Sequence, residues 1–123
     1  MCPAKLDHFI ITPLCRGISS QQTPYPGPNT PNIPTVLEVE NFDKGGQDVA
    51  YNDTFGTTGS SAYRSNPVEA VDIRADSNAS NGLEVFEASA GEWYEYTINV
   101  PYTGNYDIGV RYASLFNDGK FHI

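Results

Sequence analysis

The chain is expected to fold as an all-β sandwich of antiparallel strands. Three features point there: short stretches of apolar–polar alternation, their separation by Gly, Asn, Asp, Ser and Thr, and the lack of a helical period anywhere. The 123 residues suit a single domain. With 39% hydrophobic and 12% aromatic residues the chain can build a core, which excludes a disordered polymer.

Residues 1–32 are expected to be a disordered, Pro-rich linker or leader, with the folded module spanning 33–123. Seven of the nine prolines fall within residues 1–34, five of them from Pro24 to Pro34, and proline both fixes φ and removes a backbone donor. Lys5 and Asp7 balance each other, and the apolar run Phe9-Ile10-Ile11 stops at Thr12-Pro13. That run is short for an export signal and far below the ~18 residues of a membrane span. Cys2 and Cys15 form neither a redox Cys-x-x-Cys nor a zinc set, and read as incidental or as one optional disulfide.

From Ile33 onward strands are expected at Val36–Glu40, Ala70–Ala75 and Leu83–Glu87, followed by two longer ones. In Trp93–Val100, Tyr94, Tyr96, Ile98 and Val100 share one face while Glu95, Thr97 and Asn99 share the other. In Tyr106–Tyr112, Tyr106, Ile108, Val110 and Tyr112 alternate with Asp107, Gly109 and Arg111. Pro101-Tyr102-Thr103-Gly104-Asn105 between them reads as the turn of a hairpin. Asp76-Ser77-Asn78-Ala79-Ser80-Asn81-Gly82 with Glu87 imitates a calcium-binding loop, but its Gly stands at position 7 instead of 6 and strands flank it, so a turn is the better reading.

Five blocks stand in order: Val36-Leu37-Glu38-Val39-Glu40-Asn41-Phe42; Ser61-Ala62-Tyr63-Arg64-Ser65; Val71-Asp72-Ile73; Ala90 to Pro101; and Gly104-Asn105-Tyr106 with Arg111-Tyr112-Ala113-Ser114. Their order and spacing resemble a family 6 carbohydrate-binding module over about residues 33–123. The resemblance implies a jelly-roll sandwich, a structural calcium and a glycan site built by loops at one end. It also implies a secreted or cell-surface setting, where such modules are joined by flexible linkers to glycoside hydrolases. The family pattern continues past Gly119-Lys120-Phe121-His122-Ile123 through further strands, so the module reads as incomplete at its C-terminus. Those strands would carry a second clamp aromatic, a sugar-binding Asn and an acidic calcium ligand.

The resemblance assigns Tyr63 to one wall of the sugar clamp, where a flat ring suits the C–H face of a pyranose. Ser61, Ala62 and Arg64 do not fix the direction of Tyr63, so a core position is the competing reading. Glu38 and Glu40, two apart on an expected strand, would share one face, and two adjacent carboxylates suit an oxygen-seeking cation. A solvated face is their duller reading. By the resemblance they are calcium ligands, completed by the 59–64 loop and the absent C-terminal part. Trp93 opens a strand and is assigned to packing.

Catalysis is not expected. Glu92 and Glu95 lie three apart on a strand, hence on opposite faces and about 10 Å along it, whereas glycosidase carboxyls face each other across ~5–9.5 Å. His8 and His122 stand near no evident nucleophile, and no Gly-x-Ser-x-Gly or His-Glu-x-x-His occurs. The net charge of −8 counts against nucleic acid and anionic membrane. Lys5 and Arg16 against Asp7 leave the leader at +1, so the remainder carries −9. The expected partner is a polysaccharide or oligosaccharide, bound by a module that is monomeric if complete. The competing readings are an extracellular β-sandwich for protein contacts and a truncated fragment without binding of its own.

Overall fold

The computed structural model describes residues 4–7, 10–13, 22–54, 63–64, 69, 71–115 and 119–123, the first two stretches by their backbone. Cys2, Cys15 and the 59–62 part of the expected calcium loop lie outside these residues. The described chain is all-β, with antiparallel strands and one 3₁₀ turn, Val39–Asn41. The strands are β1 (Ala4–Asp7), β2 (Ile10–Pro13), β3 (Tyr51–Asn52), β4 (Ile73–Ala75), β5 (Leu83–Val85), β6 (Trp93–Tyr94) and β7 (Tyr96–Ile98). They form three small sheets, β2-β1-β7, β3-β6 and β4-β5.

The alternation in Trp93–Val100 produces strand, but divided at Glu95. Before that residue, Tyr94 and Trp93 pair with Tyr51 and Asn52; after it, Tyr96, Thr97 and Ile98 pair with Leu6, Lys5 and Ala4. Glu95 itself donates its N–H to the Ala50 carbonyl (2.8 Å) and accepts from the Asp43 N–H (2.8 Å), so the strand changes partners there. Tyr94, Tyr96 and Ile98 are buried as their period requires. Glu95 and Thr97, expected outside, are buried too, because the segment around Asp43 covers that face and its carboxylate accepts from both the N–H and the hydroxyl of Thr97.

Phe42, Ala50, Tyr51, Val71, Ile73, Tyr94 and Tyr96 form the core, with Leu37, Leu83 and Val85 against it. Phe42 meets Tyr51 edge-on at 5.2 Å and Tyr94 at 5.7 Å between ring centroids, within the range of favourable aromatic pairs. Strands β4 and β5 pair as a hairpin, Ile73 opposite Val85, joined by the Asp76–Gly82 turn that the sequence predicts.

Three expectations need correction. The Pro-rich stretch does not run free of the body: Thr23 and Lys44 exchange N–H···O bonds at 3.0 and 2.8 Å. Further along, Ile33 and Asn99 donate in turn to Asn99 and Pro31 carbonyls, and Gln22 is buried. Prolines spaced two or three apart leave the residues between them able to donate, so an extended segment can still be anchored at intervals. Val36–Glu40 is not a strand; it runs into the 3₁₀ turn, where Asn41 N–H donates to Glu38 O at 2.9 Å. The Tyr106–Tyr112 hairpin arm is not strand either, and Tyr106, Ile108 and Tyr112 are exposed. Alternation supplies a face, but a ladder also needs a neighbouring edge, and among the described residues none lies alongside.

Burial pushes the Tyr96 phenol well above its ordinary pKa; burial, reinforced by Glu92, Asp53 and Asp72, does the same to Tyr94. The folded state therefore favours the neutral phenols. Their contribution to stability is whole below the unfolded value near 10 and is lost as pH rises beyond it toward the folded values. In a tyrosinate absorbance titration followed alongside circular dichroism, these two rings are expected to ionise together with the loss of structure. Complete ionisation of all eight tyrosines with an unchanged dichroism spectrum would contradict this.

Candidate functional site

The candidate residues gather around the segment Glu38–Asp43. Glu38 precedes the 3₁₀ turn in extended conformation (φ −75°, ψ 131°), so it and Glu40 are not related by a strand's period of two. Glu38 is half-buried; Glu40 is only 1% exposed. Both nevertheless reach the same neighbour, the turn Asp76–Gly82. The Ser80 hydroxyl lies 2.8 and 2.7 Å from the two Glu38 oxygens, and the Asn81 amide donates to Glu40 Oε1. Asp76 braces that turn by accepting from the Asn78 N–H at 2.9 Å, and this bond, with Arg74 nearby, holds its carboxyl below the usual carboxylate range. A cation would find only oxygen ligands here in Glu38, Glu40 and Ser80, the donor chemistry calcium takes. Among the described residues, no three His, Cys, Asp or Glu side chains converge as a metal set.

Tyr63 is half-buried at the margin of the core. Its hydroxyl donates to Asn41 Oδ1 at 2.5 Å, which ties the ring to the 3₁₀ turn that carries Glu40. Burial, the Tyr25 hydroxyl and the Glu40 carboxylate all push its phenol pKa up. Tyr25, from the Pro-rich stretch, approaches the ring edge-on, with centroids 5.9 Å apart at 68°. Two rings in that relation form a packed pair, not the facing walls of a clamp.

Arg64 stands in the sequence as a member of the Ser61–Ser65 block with no role of its own assigned, yet it organises this region. It is 7% exposed, and its guanidinium lies between two rings, 4.0 Å from the Tyr25 centroid and 3.9 Å from that of Phe42. It donates to the carbonyls of Phe42 and Asp43 and pairs with buried Glu69. Its φ of 62° is a left-handed value that costs a non-glycine residue about 1–3 kcal/mol, offset here by those contacts. Trp93 sits in β6 and is half-buried.

The comparisons with known proteins bear on a different part of the chain. Residues 68–123 match the carbohydrate-binding module of family 35. The match supports the class that the residues resemble, a carbohydrate-binding module; the model matched is that of family 35, not family 6. Neither a curated protein nor a solved structure matches. The matched stretch holds β4 to β7 and the turn with Ser80 and Asn81; Tyr63, Glu38 and Glu40 precede it. The similarity supports carbohydrate binding for the chain without reaching those three residues.

Proposed function

We propose that this chain is a non-catalytic module that binds a polysaccharide or oligosaccharide and, at the cell surface or outside the cell, holds an attached glycoside hydrolase on its substrate. The match of residues 68–123 to a carbohydrate-binding module carries the reading, and the all-β fold agrees with it. Holding the enzyme near its polymer raises the local substrate concentration without any new chemistry. Tyr63 supplies the ring for sugar stacking, kept in place by Asn41; Glu38 and Glu40 are the residues that would hold a structural calcium, which would brace the 3₁₀ turn against the Asp76–Gly82 turn. One ring with few polar partners gives weak binding, roughly millimolar.

Affinity electrophoresis through gels containing neutral or acidic polysaccharides tests this. Retardation in at least one neutral gel is expected, with Tyr63→Ala losing it while its melting curve stays cooperative. A mobility equal in every gel would end the binding reading; unchanged retardation of Tyr63→Ala would remove Tyr63 alone. Chelator in the melting experiment separates the metal: calcium at Glu38 and Glu40 predicts a lower Tm with chelator, and an indifferent Tm overturns it.

A further inference from the structure

The acceptor sequence for N-linked glycosylation, Asn-x-Ser/Thr with x other than Pro, occurs twice in the chain, as Asn52-Asp53-Thr54 and Asn78-Ala79-Ser80. So short a pattern arises readily by chance, and the fold has to decide whether either Asn can carry a bulky, hydrated group. The two stand in opposite settings.

Asn78 lies in the Asp76–Gly82 turn between β4 and β5. Ser77, Asn78, Ser80 and Asn81 are all exposed, and the turn holds no apolar side chain larger than that of Ala79, so its own composition suits water and leaves little to bury. Among the described residues the Asn78 side-chain nitrogen donates to Asp76 Oδ1, at 3.1 Å, within that turn. The same oxygen accepts the Asn78 backbone N–H at 2.9 Å. A glycosylated amide keeps one N–H, so the turn can retain both bonds with a sugar attached.

Asn52 is half-buried in β3, opposite Trp93 of β6. Its side-chain nitrogen donates to Gly91 O at 2.8 Å, in the turn that leads into β6, and its oxygen accepts from Gln47 Nε2 at 2.6 Å. The hydroxyl of Thr54, the third residue of this acceptor sequence, donates to Glu92 Oε1 at 2.8 Å. A sugar on the Asn52 nitrogen would enter the contact between two chain segments and force them apart.

We infer that Asn78 is an N-glycosylation site, and that the folded chain carries no glycan at Asn52. The inference rests on the extracellular setting of the proposed function, because N-linked transfer acts on exported chains. The donor is an oligosaccharide joined through pyrophosphate to a membrane lipid, brought by an oligosaccharyltransferase. The Asn78 amide nitrogen bonds to the sugar C1, the bond from C1 to the pyrophosphate oxygen breaks, and the amide releases one proton as the lipid pyrophosphate leaves. In the folded chain the Ser80 hydroxyl is engaged by Glu38, so transfer precedes closure of the turn on that residue. Afterwards the glycan stands on the outer end of the β4–β5 hairpin, clear of the core. A chain modified at Asn52 would not close β3 on β6.

Export of the chain from a eukaryotic cell behind a cleavable signal tests this by intact mass. Secreted protein that melts cooperatively is expected to carry one glycan, removed by peptide-N-glycosidase, which leaves Asp at the former attachment point for peptide mapping to place. Asn78→Gln and Ser80→Ala should each abolish it; Ser80→Thr and Asn52→Gln should each keep it. Wild-type protein secreted without a glycan overturns the inference, as does a glycan that survives Asn78→Gln. A glycan mapped to Asn52 in cooperatively melting protein overturns the discrimination between the two sites. Retardation in polysaccharide gels is read separately on the enzymatically deglycosylated chain, so a failure to bind carbohydrate and a failure to accept the glycan are distinct results.

Discussion

Replacing Arg64 with Met is expected to cost about 3–5 kcal/mol and to lower Tm by on the order of 10–20 °C. The substitution keeps the length and apolar stem of the side chain, so the loss isolates the guanidinium. Removing that group leaves the buried Glu69 carboxylate without its cation, and the carbonyls of Phe42 and Asp43 without a donor they now share. Stranding one member of a buried pair costs far more than the pair gains on forming, because the remaining charge has already given up its water. Arg64→Lys should recover only a minor part. An ammonium cannot present a flat face to Tyr25 and Phe42 while donating in several directions to fixed acceptors. The cross-strand pair of Arg74 with Glu84 is the internal control: Arg74 is 58% exposed on its side chain, and Arg74→Met should change stability by about 0–1 kcal/mol. Urea melts of the three variants check the order, and an Arg64→Met loss no greater than that of Arg74→Met would refute the role assigned to Arg64.

The contrast between these two arginines shows what could be read from the chain. Arg74 lies in a segment with a clear strand pattern, and its pairing with Glu84 follows from the hairpin register. Arg64 lies in a turn, where neither period nor spacing says that Tyr25, nearly forty positions earlier, will cover it. The faces of Tyr94, Tyr96 and Ile98 were legible because alternation reports local geometry. What covers the other face, and whether a neighbouring edge exists, is non-local; hence alternation alone puts Glu95 and Thr97 outside and pairs Tyr106–Tyr112 with an edge that none of the described residues supplies. Proline content misled in the same way, since it describes a stiff, extended backbone equally well whether that backbone is solvated or lies on a core. For the site, the Glu38–Val39–Glu40 alternation is too short to distinguish a strand from a 3₁₀ turn. The meeting of both carboxylates with the Asp76–Gly82 turn survives that error because Ser80 and Asn81 reach them from the other side.

Asp43→Ala is expected to cost about 2–4 kcal/mol and to loosen the Pro-rich stretch before the rest of the fold. Its carboxylate is 2% exposed; it accepts from the Gln22 amide at 2.9 Å, from the Thr97 N–H at 2.9 Å and from the Thr97 hydroxyl. Truncation leaves a buried backbone donor and a buried side-chain amide unsatisfied, each with a desolvation penalty of about 1–3 kcal/mol. Thr97→Val removes only the hydroxyl donor and should cost about 1 kcal/mol, which separates the carboxylate's role from that of one of its partners. Hydrogen exchange gives the spatial readout. The reciprocal Thr23 and Lys44 amides should lose protection in Asp43→Ala more than the Phe86 amide, which donates to Asp72 in the β4–β5 hairpin. Equal losses at all three would mean that Asp43 supports the whole fold and has no special hold on the leader. Arg64 grips the same stretch through Tyr25 and also donates to the Asp43 carbonyl, so the two substitutions share a backbone segment and should not add. A double variant costing less than the sum of the singles follows if the leader, once released from one anchor, has little left to lose at the other.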